Sequence, residues 1–147
     1  MSTKDNKELV RQDFKEWNEI AGDMAKIHPL FEKYYAPVYI YHHPSRGDIN
    51  REERIQHMVT LMSALADPNF SIDDMVAEGD KVVIRFTIQA SHKGMFMGIP
   101  ATGKHIVVKG VQIYKIEGRK FVEMWELVDA LGVMTQLGVI PSAALNT

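Results

Sequence analysis

Asp129 ends the run KFVEMWELVD (120–129) and is followed by ALGVMTQLG (130–138), so one carboxylate stands among large apolar residues near the end of the chain. A carboxylate deprived of water is poorly stabilised as an ion, and its pKa rises from a reference of about 3.9. It becomes a stronger base at neutral pH while staying largely ionised. Removing a proton next to a carbonyl needs such a base, together with donors that stabilise the enolate. If the run is a strand without a bulge, alternation puts Phe121, Glu123, Trp125, Leu127 and Asp129 on one face. The same aspartate is equally well placed to cap a helix beginning at Ala130. A carboxylate committed to a cap is a weaker base.

His42 and His92 are the next chemical candidates. A neutral imidazole can donate to a forming enolate or orient a carboxylate. Each could instead anchor a strand end through hydrogen bonds. His92 shares parity with Ile84, Phe86 and Ile88, the apolar face of its strand. Trp17, Phe31, Tyr35, Met58, Met62, Met95, Phe96, Met97 and Trp125 have the spacing of residues that line or gate a cavity, which is also the spacing of a plain core. The loop MFMGIP (95–100) puts three large apolar side chains beside glycine, a pattern that suits a lid or a dimer contact. Gln112 and Gln136 could reach a pocket, or serve as surface and strand-end amides.

Other motifs dissolve on inspection. GIPATGKH (98–105) nearly matches a phosphate-binding loop, but His105 replaces the hydroxyl residue and a strand follows instead of a helix. His42 and His43 point to opposite faces of a strand, which is poor for one metal. There is no HExxH zinc motif and no serine in a nucleophile-elbow context.

The elements that must position these groups follow from periodicity. Leu9, Val10, Phe14, Trp17 and Ile20 recur at helical spacing, giving an amphipathic helix that ends near Gly22. A second helical stretch runs from Met24 to Tyr34, with Pro29 expected to shorten or kink it. APVYIYHHP (36–44) reads as a strand closed by a turn. Asn50 and Glu53 form a capping-box pattern opening a third helix, which DPNF (67–70) is expected to end. From Ser71 the period shifts towards two, with hairpin signals at Gly79–Asp80 and Glu117–Gly118–Arg119. Three helices, then four long antiparallel strands and a short last helix, predict an α+β domain with helices packed on one face of a curved sheet. The whole chain, 1–147, is expected to form one domain.

Composition sets the boundaries. The 147 residues include no cysteine, so disulfides, thiolate nucleophiles and cysteine zinc sites are excluded, which fits a reducing, cytoplasmic setting. Net charge is −2 with the signs mixed, so no nucleic-acid partner is expected. The polar start and the lack of a long apolar run argue against a leader and a membrane span. Nine methionines would suit an adaptable apolar cavity, or ordinary core filling.

Three segments, in order, resemble the SnoaL-like polyketide cyclase family: YYAPVYIYHHP; AEGDKVVIRFTIQASHKGMFMGIPATGK; and GVQIYKIEGRKFVEMWELVDALGVMTQLGVIP. The resemblance spans roughly Lys7 to Pro141. It implies a cone-shaped nuclear transport factor 2-like fold, in which a bent antiparallel sheet and helices enclose an apolar pocket. It also implies a homodimer through the sheet, and intramolecular aldol closure or a related enolisation of an apolar, carbonyl-bearing ligand without cofactor or metal. Asp129 then matches the family's catalytic acid/base and His42 the family's histidine. Tyr41 stands where many members carry an acid. The catalytic set implied is Asp129, His42 and His92, with Trp17, Tyr35, Met62, Met95, Phe96 and Trp125 against the ligand. The same fold also hosts isomerases, hydrolases and non-catalytic modules that bind small apolar ligands, so these stand as alternatives. The outer sheet face expected to pair two copies carries Val83, Arg85, Thr87, Gln89, Val107, Val111 and Ile113.

Overall fold

A computed structural model describes residues 2–141. Helix α1 (Thr3–Ile20) opens with a capping box: Ser2 Oγ accepts from the Asp5 amide at 3.1 Å and the Asp5 carboxylate accepts from the Ser2 amide at 3.3 Å. It ends one residue before Gly22, on Ala21 in the left-handed region (φ 50°). Its buried stripe is Asn6, Val10, Asp13, Phe14 and Trp17, so a carboxylate shares the apolar face. A 3-10 turn (Met24–Lys26) leads into α2 (Ile27–Tyr34). Pro29 lies in the first turn of α2, where its missing N–H is not needed, so the helix continues past it.

Strand β1 (Tyr35–His43) forms a hairpin with β2 (Gly47–Asn50), and Asn50 then caps α3 (Arg51–Ala64). The predicted capping box is present: Asn50 Oδ1 accepts from the Glu53 amide at 2.9 Å and Glu53 Oε1 from the Asn50 amide at 3.1 Å. Strand β3 (Leu65–Glu78) starts directly after α3, six residues earlier than the change of period suggests. The DPNF segment does not end the helix. It lies within β3, where pairing with β4 (Lys81–His92) shifts between Ala66 and Asn69 and Asp67 takes φ 51°. Pro68, which has no N–H to donate, is tolerated because it sits at this bulge of an edge strand.

Strands β5 (His105–Glu117) and β6 (Lys120–Val128) follow, then α4 (Ala130–Gln136). The sheet order is β2-β1-β6-β5-β4-β3. Every pairing is antiparallel except β1 with β6, so the curved, open sheet is mixed. The β5–β6 turn has positive φ at both Gly118 (56°) and Arg119 (63°), which matches the twist of the strands it joins.

Alternation in β4 and β5 is regular. Val82, Ile84, Phe86, Gln112 and Tyr114 face inward towards the core that α1 covers, while Ile106 and Val108 pack in a second cluster with Val133 and Leu137 at the α4 end. Strand β6 breaks the expected pattern. Lys115 pairs with Glu123 but Ile116 pairs with Phe121, so Val122 is an extra residue. One inserted residue exchanges the two faces of everything beyond it. Phe121, Met124 and Glu126 therefore turn inward, and the face expected to carry Glu123, Trp125 and Leu127 to the interior lies outside. The buried rings form a continuous wall, with Phe14 and Trp17 on Phe70 (6.4 and 5.8 Å between centroids) and Phe31 stacked on Tyr35 at 4.2 Å.

Candidate functional site

The inner sheet face, α1, α2 and α3 surround a cavity of about 600 Å³, a size that takes a drug-sized molecule. Phe14, Trp17, Phe70 and Phe86 form its apolar wall, and Met95, Phe96 and Met97 of the loop before β5 stand at its mouth. The polar groups gather in two places.

The first is Asp13, carried inward by the apolar stripe of α1 and 1% exposed. Its Oδ2 accepts from the Tyr35 hydroxyl at 3.3 Å, a long contact, and Oδ1 has no partner. Burial disfavours its charge more than the Tyr35 hydroxyl, the Trp17 indole and Arg54 favour it, and its pKa is pushed up to about 8. At neutral pH this carboxyl is mostly protonated.

The second is a corner built on Glu126, which the Val122 bulge turns inward. Glu126 Oε1 accepts from the Tyr41 hydroxyl at 2.6 Å, and Oε2 accepts from the Gln112 side-chain amide. The Tyr114 hydroxyl donates to Gln112 Oε1 at 2.7 Å. Arg54, buried on α3, lies over the Tyr41 ring at 3.9 Å, with Nη2 3.9 Å from Glu126. Burial opposes its charge, but Glu126 and the surrounding phenols outweigh that, so the guanidinium stays protonated. Burial also holds the Tyr41 phenol neutral. His57, one turn along α3, takes a hydrogen bond from Arg54 Nη1 on Nδ1 at 2.7 Å. Burial, then Arg54 and Arg46, lower its pKa to about 4.

Of the residues singled out in the sequence, Trp17, Tyr35, Met95 and Phe96 line this cavity, as do Phe31, Met58 and Met97; Gln112 reaches it and Gln136 does not. Gln136 instead clamps α4 to β5, bonding both the amide (2.7 Å) and the carbonyl (2.8 Å) of Val107. Met62 is buried in the core beside the cavity without lining it. Trp125 is on the outer face, stacked on His42 at 4.8 Å. His42 is also outside the cavity, between Asp48 (2.7 Å) and Glu123 (2.8 Å). Partial burial opposes its charge, yet these two carboxylates raise its pKa. His92 is fully buried at the end of β4. Its Nδ1 accepts from the Thr102 amide at 3.2 Å and meets the Thr102 hydroxyl at 2.9 Å, which ties the Gly/Pro loop to the strand. Asp129 is exposed and caps α4, Oδ1 accepting from the Gly132 amide at 2.9 Å, while its neighbours Val128 and Ala130 line the cavity mouth.

Asp13, Glu126, Arg54 and His57 escaped the reading of the sequence. Asp13 left a signal, since at 3.6 residues per turn it falls between Val10 and Trp17 on the apolar stripe. Glu126 left none, because its direction depends on the bulge. Among the described residues, no three His, Asp or Glu side chains are grouped to hold a metal ion, and no helix is long and apolar enough to cross a membrane.

The fold is that of small α+β proteins in which helices pack on one face of a curved, open sheet. A family model for SnoaL-like polyketide cyclases matches residues 12–137, and the chain belongs to that family. A candidate polyketide cyclase from Acidithiobacillus ferrooxidans shares 30% identity, with 94% of this chain and 98% of the other covered and a TM-score of 0.73. TsrD from Streptomyces laurentii shares 28% over 90% and 96% of the two chains, TM-score 0.75. AclR from Streptomyces galilaeus, a candidate hydroxylase, superposes with a TM-score of 0.83 over 95% and 100% at 23% identity, a likeness of fold. No curated protein sequence matches the chain.

Proposed function

We propose that the protein binds an apolar, carbonyl-bearing small molecule in this cavity and enolises it, with intramolecular aldol closure as the reaction that follows. The observation that carries the reading is Asp13: a carboxyl in the cavity wall, buried against Trp17 and Phe14, with one oxygen unpartnered and a pKa near the working pH. Proton transfer is most efficient when the pKa of the group lies near ambient pH. The ionised fraction of Asp13 takes a proton from the carbon next to the carbonyl, leaving an enolate. The enolate carbon attacks a second carbonyl of the same molecule, a carbon–carbon bond forms, and the new alkoxide takes the proton back from Asp13. No other reactant is consumed. The Glu126 corner holds the polar end of the ligand, while the aromatic wall excludes water.

The test does not require the natural substrate. Incubated in D₂O with 2-tetralone, the protein should exchange the α-hydrogens for deuterium above the buffer rate, read by mass spectrometry. Asp13→Asn should slow this by a factor on the order of 10² to 10⁴, the usual worth of a positioned acid or base. No exchange by the parent protein would leave a ligand-binding module without chemistry.

A second reading keeps the proton transfer on Asp129. Its support is that Val128 and Ala130, on either side of it, both line the mouth of the cavity. That carboxylate would have to leave the Gly132 amide to act. We also propose a homodimer through the outer sheet face, where Val111 and Leu127 are exposed beside Val83 and Trp125. Sedimentation of a monomer at micromolar concentration would count against it.

A further inference from the structure

We propose that Arg54 locks His57 as the Nε2–H tautomer, so that the cavity wall carries a built-in hydrogen-bond donor for the carbonyl or enolate oxygen of the ligand. This deepens the reading of the cavity as a site for carbonyl compounds and rests on it. A guanidinium has five N–H groups and no acceptor. At 2.7 Å between Arg54 Nη1 and His57 Nδ1, the arginine therefore donates and Nδ1 presents its lone pair. A neutral imidazole has a single N–H, which must then be on Nε2.

The arginine cannot readily turn away. It is 6% exposed, lies on the face of Tyr41 and is drawn to Glu126. The i, i+3 spacing on α3 puts the two side chains side by side. The groups around the imidazole agree with this state. Arg54 and Arg46 disfavour a second positive charge, His43 does so weakly, and Glu126 alone pulls the other way.

The Nε2–H group is also left over when the corner's bonds are counted. The Tyr41 hydroxyl proton is committed to Glu126 and the Tyr114 hydroxyl proton to Gln112. Two of the five N–H groups of Arg54 face His57 and Glu126, so the arginine shares the corner with His57 as a charged donor. His57 Nε2 has no hydrogen-bond partner among the described residues, and the ring lines both the main cavity and the smaller pocket between α3 and the β1–β2 hairpin. A donor fixed in place before the ligand arrives does not have to reorganise as charge develops on oxygen.

The experiment pairs the tautomer with a probe. In ¹⁵N-labelled protein at pH 7, long-range ¹H–¹⁵N spectra should show His57 with Nε2 protonated and Nδ1 bare, unchanged down to pH 5. The probe is 2-naphthol, an apolar two-ring phenol whose oxygen stands for the enolate oxygen, with binding followed by its fluorescence. His57→Leu should weaken it roughly 3- to 10-fold, the worth of one neutral hydrogen bond. His57→Gln, whose amide N–H can replace Nε2–H, should stay within about twofold of the parent. A proton on Nδ1, an imidazolium at pH 7, or equal affinity in His57→Leu overturns the donor and leaves the cavity reading standing. Failure of the parent protein to bind 2-naphthol at millimolar concentration overturns both.

Discussion

Asp13 stands between Gln12 and Phe14 in the sequence and Asp129 between Val128 and Ala130, and the two carboxylates meet opposite environments. Asp13 lies on a helix whose period takes it between Val10 and Trp17, so packing α1 on the sheet forces it out of water. Asp129 follows the last residue of a strand and can satisfy itself locally on the first turn of α4. One carboxyl is held protonated against the wall of a cavity; the other caps a helix at the rim. Apolar neighbours in sequence do not desolvate a group. Its face on the element does. The same contrast separates the deep corner around Glu126 from the outer face of the sheet, where Trp125 and Glu123 of β6 and His42 of the adjoining β1 are only partly buried.

The largest effect on stability should come from the deep corner. Glu126→Leu removes the carboxylate that Tyr41, Gln112 and Arg54 all address, leaving a buried guanidinium without its counter-charge. Loss of one partner of a buried pair typically costs about 3–5 kcal/mol. Urea unfolding should show this as a lower midpoint with an unchanged slope. A cost below about 1 kcal/mol would mean that the corner is wetter than its geometry implies.

Asp13 makes the interior sensitive to pH. Its folded pKa of about 8 lies above the ordinary 3.8, so the folded state holds the proton more tightly than the unfolded chain. The stability linked to that proton is complete below about pH 4 and is lost as pH rises through 8, by at most roughly 1.4 kcal/mol per unit. Asp13→Asn should remove this slope and gain on the parent protein as pH rises from 5 to 8. Equal slopes in the two proteins would show that Asp13 is ionised and solvated.

Gly110 tests the wall itself. It faces inward on β5, and a Cβ there would lie 2.5 Å from the Leu127 carbonyl oxygen and 2.7 Å from the Phe86 ring. Gly110→Ala should cost about 1–3 kcal/mol by overpacking. It should also reduce binding of cavity ligands, because Phe86 lines the cavity. Calorimetry of the variant would separate the two effects.

Much of this scaffold is readable from local pattern. The Asn50–Glu53 capping box, the turn at Gly118–Arg119 and the two faces of β4 and β5 need only neighbours a few residues away. What is not readable depends on distant partners. The β1–β6 pairing is parallel and joins residues about 80 positions apart. The Val122 bulge exists only relative to β5, and it alone turns Glu126 in and Trp125 out. Likewise Asp67 and Pro68 look like a helix stop until β4 pairs on both sides of them. The Asp13 signal was present and easily mistaken for a polar break in an amphipathic helix.

The smallest expected effect is at Asp129, and it is the one that divides the two readings of the site. Asn is about as good a helix cap as Asp, and its side-chain oxygen can accept from the Gly132 amide as Asp129 does. Asp129→Asn should therefore change stability by no more than a few tenths of a kcal/mol, while Asp129→Ala, which has no cap, should cost about 1 kcal/mol. Both variants should keep the exchange activity on 2-tetralone within about twofold, because neither alters the pKa or packing of Asp13. A fall of 10² or more in Asp129→Asn, with the melting temperature unchanged, would move the proton transfer from the interior to the rim. The carboxylate would then have to leave its cap during turnover, and ligand binding should destabilise the first turn of α4. Amide exchange at Gly132, slow in the free protein if the cap holds, would speed up when the cavity is filled.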